Sequence, residues 1–85
     1  MADDAALVRG IAIILRECFE LSQTEDAALD GYAERLLASI KAGESELALR
    51  MQVGDAQRQL DGIVNNSTCK EVIERACKLM AENSN

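Results

Sequence analysis

Apolar residues recur three and four apart along this chain, most densely in the segment LVRGIAIILRECFEL from Leu7 to Leu21. At about 100° per residue, Leu7, Val8, Ile11, Ile14, Leu15, Cys18, Phe19 and Leu21 fall on one half of a helical cylinder. Arg9, Arg16, Glu17 and Glu20 take the other face. The apolar arc is about 160–180° wide, where roughly 100° suffices for an ordinary surface helix, so this helix is central or shared. A buried strand is the rival, because Ile11 to Leu15 is rich in β-branched residues. Asp3 and Asp4 at the N-terminal end and the helical spacing of the charges favour a helix from Asp3 to Leu21.

The same phasing predicts three more helices. Ser22, Thr24 and Glu25 resemble a capping signal, and Leu29, Tyr32, Ala33, Leu36, Leu37 and Ile40 form one stripe of a helix from Glu25 to Ala42. Gly43 then supplies a left-handed cap. Ser45 caps a third helix, 45–64, whose stripe is Leu49, Val53, Ala56, Leu60, Ile63 and Val64, with a kink allowed at Gly54. Asn65-Asn66 reads as a turn, and Thr68 with Glu71 forms a capping box for a fourth helix, 68–82. Its inner face is Cys69, Val72, Ile73, Ala76, Cys77 and Met80. Four helices on short connections predict an all-α, antiparallel up-and-down four-helix bundle, with more orthogonal packing as the alternative.

Length and composition agree with that reading. Eighty-five residues make one domain, 1–85, and 48% hydrophobic with 28% charged residues is a folded balance. The absence of proline, with one Phe and one Tyr, removes the turns and aromatics an all-β domain needs. Fifteen acidic against nine basic residues leave a net charge of −6, which disfavours nucleic acid and anionic membranes as direct partners. No apolar run approaches the roughly 20 residues of a membrane span, and the residues before Leu7 are acidic where a signal peptide needs positive charge. An intracellular, cytoplasmic location is expected, or a nuclear one in a eukaryote.

Chemistry is hard to assemble from these residues. The chain has no histidine, and Cys18, Cys69 and Cys77 form no close pair, so no metal site and no cofactor are expected. All three cysteines sit at apolar helical positions, where thiols serve as small core residues in a reducing compartment. No nucleophile stands beside a base, no glycine-rich phosphate loop occurs, and the carboxylates lie on polar helix faces. An enzyme is not expected.

In SELALRMQVGDAQRQLDGI, Ser45, Glu46, Leu47, Ala48, Met51 and Val53 resemble the first half of a DNA-reading helix-turn-helix. The second half departs from that pattern: Arg58 and Asp61 stand where apolar residues belong, and Ala56, Leu60 and Ile63 extend one amphipathic helix. The resemblance covers about nineteen residues, and an acidic chain lacks the electrostatic footprint of a DNA-binding domain.

Some side chains remain without a structural task. Ile13 projects from the polar side of the first helix. Leu47 and Met51 face away from the stripe of the third and sit near Arg58, a combination typical of interface anchors. Glu17, Glu20, Glu25, Asp26, Asp30 and Glu34 occur with no basic residue between positions 17 and 34, making an acidic patch. The expectation is a non-catalytic protein-interaction module, adaptor or regulatory subunit. The alternative is an acidic inhibitor or antiactivator that masks a basic nucleic-acid-binding surface of its partner. Self-association as a homodimer is expected from the wide arc of the first helix.

Overall fold

The computed structural model describes residues 4–21 and 26–83. These form four helices, α1 (Asp4–Cys18), α2 (Asp26–Lys41), α3 (Glu46–Asp61) and α4 (Asn66–Glu82), with no strand among the described residues. α1 packs against α2 and α4, and α3 closes the ring by touching the same two helices. Cross-links between neighbours fix the directions. Lys41 at the end of α2 reaches Asp4 at the start of α1 at 2.6 Å. Tyr32, early in α2, donates a hydrogen bond to Gln59, late in α3. Arg75 of α4 pairs with Glu17 of α1 at 2.7 Å, while Leu79 lies over Gly10. Successive helices therefore alternate in direction, as an up-and-down bundle requires.

The wide arc of α1 is covered inside the molecule. Leu7, Ile11, Ala12, Ile14, Leu15, Phe19 and Leu21 are buried against Leu29, Ala33, Leu36 and Leu37 of α2 and Val72, Ile73 and Ala76 of α4. Gly10 permits the close approach to α4, since a Cβ at that position would lie 2.6 Å from Leu79 Cδ2. Covered in this way, the arc gives no ground for self-association through α1.

The ends of the helices correct the sequence reading in three places. α1 stops at Cys18 and not at Leu21, because Glu20 adopts a left-handed φ of 54° and turns Leu21 back into the core. α3 stops at Asp61, where Gly62, at φ 80°, donates its N–H to the Arg58 carbonyl. Ile63 and Val64 thus leave the inner stripe and are exposed. α4 begins at Asn66, not Thr68, because the Asn65 side chain accepts the Thr68 N–H at 3.1 Å and serves as the N-cap. Ser45 caps α3 as expected, accepting the Ala48 N–H at 3.2 Å. Gly43 closes α2 with φ 75°. The cap read at Ser22, Thr24 and Glu25 lies outside the described residues.

One buried polar side chain holds the third connection. Gln57 Oε1 accepts the Asn65 N–H at 2.9 Å and lies 3.6 Å from Cys69 Sγ, so it ties α3 to the start of α4. Cys69 is core, as expected. Cys18 is half-buried, and Cys77 is exposed, which corrects its assignment to the inner face. Val72, Ile73 and Ala76 already fill the seam that α4 presents.

Candidate protein-binding surface

α3 carries two apolar stripes. Leu49, Val53 and Ala56 point into the core, while Leu47 and Met51, 67% and 65% exposed, point outward. The helix runs unbroken through Gly54, so the segment 45–63 contains no turn between two helices and is not a helix-turn-helix. Gly54 has a different task. A Cβ there would lie 3.4 Å from Val64 Cγ1, so the chain leaving the Gly62 cap folds back and lays Val64 across the bare backbone.

Leu47, Met51 and Val64 therefore line one shallow hollow of about 370 Å³ on the outer side of α3. Arg50 and Arg58 line it as well, each held by a carboxylate within its own helix: Arg50 by Glu46 at 3.1 Å, Arg58 by Asp55 at 3.6 Å. Such exposed pairs contribute little stability, but they park the guanidinium groups beside apolar side chains. The structure thus brings together three of the residues singled out in the sequence, Leu47, Met51 and Arg58. It adds Val64, 44% exposed, and Ile63, 59% exposed, lies beside it in sequence. Gly62, a cap signal directly before them, marks the helix end that takes both out of the inner stripe.

Ile13 is 50% exposed but stands apart. It lines the seams of α1 with α2 and with α4, and shares no hollow with Leu47 or Met51.

Of the six acidic residues read as a patch, Glu17, Glu20, Asp30 and Glu34 have described side chains, and their surroundings differ. Glu17 is engaged by Arg75, which comes from the far end of the sequence. Glu20 forms the turn after α1. Asp30 faces Arg9 across 3.9 Å, and its Oδ1 is buried without a hydrogen-bond partner. Asp30 and Glu34 line a hollow of about 550 Å³ together with Val8, Leu37, Ala38 and the Asp4–Lys41 pair. Glu25 and the Asp26 side chain lie outside what is described.

The thiols are quiet. Burial pushes the Cys18 thiol up, and the Arg75 guanidinium 3.4 Å from Sγ only partly opposes it. Burial likewise raises Cys69. Both rest as neutral thiols near pH 7. Among the described residues no group of cysteines and carboxylates is placed to hold a metal ion, and no helix is long and apolar enough to cross a membrane. Compared with protein-family models, with curated proteins and with solved structures, the chain gives no match.

Proposed function

We propose that this protein is a non-catalytic interaction module, an adaptor or regulatory subunit, that engages a protein partner through the outward face of α3. One observation carries the reading. Leu47, Met51 and Val64 converge on a single hollow while the core of the bundle is complete without them. An apolar centre flanked by arginine stems is the composition of an interface core, and scattered exposed apolar residues need no such explanation. Three cysteines without a disulfide suit a reducing intracellular compartment.

The acidic-mask alternative has less to support it, since Arg75 and Arg9 engage Glu17 and Asp30. Affinity capture from native extract separates the readings. The wild-type chain should retain partner proteins that Leu47→Asp and Met51→Asp lose, while circular dichroism shows both variants folded. Equal capture by all three chains sinks the α3 reading. Loss of capture on reversing Glu34 and Asp30, or competition by nucleic acid, would favour the acidic one.

A further inference from the structure

We propose that the hollow between α1 and α2 binds a small organic cation, a primary ammonium carried on a short alkyl chain. The site is separate from the outward face of α3 and does not depend on how that face is read. Val8 of α1 with Leu37 and Ala38 of α2 give the hollow its apolar lining, and Asp30 and Glu34 stand on the same stripe of α2. Its volume of about 550 Å³ lies within the roughly 300–1,000 Å³ of small-molecule sites, where an apolar lining carries a few convergent polar groups.

The unanswered charges name the ligand. Lys41 is matched by Asp4 at 2.6 Å, so that pair has no charge left over. Asp30 is not matched in this way. Its Oδ2 lies 3.9 Å from Arg9, farther than a hydrogen bond, and its Oδ1 is buried with no partner. Glu34, one turn on, is exposed and makes no ion pair or hydrogen bond among the described residues. Two carboxylates four residues apart on one helix repel each other, and an ammonium between them brings three donors where neither now accepts a hydrogen bond. An anionic ligand would meet the same two carboxylates as repulsion, and a neutral one would cover them without offsetting their charge. Among the described residues no three cysteines and carboxylates are grouped to hold a metal ion, so the hollow suits an organic cation. Spacing along α2 sets the ligand's length. Glu34 and Ala38 are about 6 Å apart along the helix axis, so an alkyl chain of about four to six carbons starting at the carboxylates lies over Leu37 and Ala38.

An NMR titration of the isotope-labelled chain with n-hexylamine at pH 7 tests this, since the amine is charged there as a lysine side chain is. The amide shifts should saturate in the millimolar range, because so few ligand atoms limit affinity, and should gather at Val8, Asp30, Glu34, Leu37 and Ala38. n-Hexanol, equal in length but uncharged, should bind about fivefold more weakly. Glu34→Gln and Asp30→Asn should each raise the dissociation constant about threefold, with circular dichroism showing that both remain folded. Glu74→Gln removes the same charge from an exposed position of α4 outside the hollow and should leave binding unchanged. Hexanol binding as tightly as hexylamine overturns the inference, as do shifts that gather at Leu47 and Met51 or an absence of saturation. Equal weakening by Glu74→Gln and Glu34→Gln overturns it too, because the attraction would then belong to the acidic chain as a whole.

Discussion

Glu20 is the only non-glycine residue with positive φ among the described residues, at 54°, and it should be replaceable by glycine with a gain in stability. The turn it makes has the same hydrogen bonds as the one Gly43 makes. Leu21 donates to Arg16 at 3.0 Å and Glu20 to Glu17 at 3.3 Å, just as Glu44 donates to Ser39 at 3.2 Å and Gly43 to Ile40 at 3.0 Å. Both are Schellman closures, in which the residue after the C-cap is left-handed. The conformation is imposed on Glu20 from both sides. Leu21 is buried in the core, and the Arg16 guanidinium donates to the Leu21 carbonyl at 3.0 Å.

The left-handed region costs an L-residue roughly 1–2 kcal/mol, a cost glycine does not bear. Glycine gives back about 0.4–1 kcal/mol through the greater freedom of the unfolded chain. Removing a negative charge from a helix C-terminus adds about 0.3 kcal/mol in favour of the variant. The net expectation is a gain of about 0.5–1 kcal/mol for Glu20→Gly, or a rise in Tm of about 2–8 °C in a domain of this size. Glu20→Ala keeps the steric penalty and loses only the charge, so it should stay within about 0.5 kcal/mol of wild type. Urea denaturation followed by circular dichroism reads both, with an unchanged slope showing that the denatured state is the same. A glycine variant no more stable than the alanine variant refutes the argument.

Gln57→Met should lose about 1–3 kcal/mol in the same assay, because the buried acceptor of the Asn65 N–H disappears while the side-chain length is kept. The thiols should titrate unequally with Ellman's reagent at pH 8. Cys77 should react fast, and Cys18 and Cys69, both raised by burial, more slowly, with Cys77→Ser abolishing the fast phase. A fast phase surviving Cys77→Ser contradicts this placement. Gly10→Ala should change stability by less than about 1 kcal/mol, because its Cβ would meet only the flexible end of Leu79, which can rotate away, and alanine favours the helix; a larger loss means that Leu79 is locked in the α1–α4 seam.

Much of the bundle is legible in the spacing of its apolar residues, and what is not legible has a physical reason. α2 falls within one residue of its predicted ends, because a clean stripe and a glycine cap agree there. At the end of α3 two signals conflict. Ile63 and Val64 continue the apolar phase, but Gly62 ends the helix before they are reached. The left-handed turn at Glu20 leaves no trace in sequence, since glutamate favours helix and Leu21 keeps the phase. At α4 the cap falls on Asn65, which the sequence marks as a turn: its side chain accepts the Thr68 N–H while Gln57 accepts its own N–H. Leu47 and Met51 were legible as outward residues from phase alone. Val64 was not, because only the tertiary turn after Gly62 carries it back over Gly54. Two members of the acidic run likewise have neighbours that sequence distance hides: Arg9 and Arg75 answer Asp30 and Glu17 from elsewhere in the chain.

The division of work among the helices explains why the bundle leaves the outward face of α3 uncovered. α1 needs cover over half its surface and receives it from α2 and α4, with α3 closing the ring through Leu49, Val53 and Ala56. Those three residues and Gln57 occupy one side of α3, so nothing inside the bundle depends on the opposite side. Gly54 sits between the two sides. It lets Val64 cross the outer surface while Cys69 Sγ lies 4.0 Å from where its Cβ would be, within the α3–α4 seam. The glycine that made the segment look like an interrupted helix is therefore what joins the loop after α3 to its outer stripe. Leu47, Met51 and Val64 become one surface only because that position has no side chain.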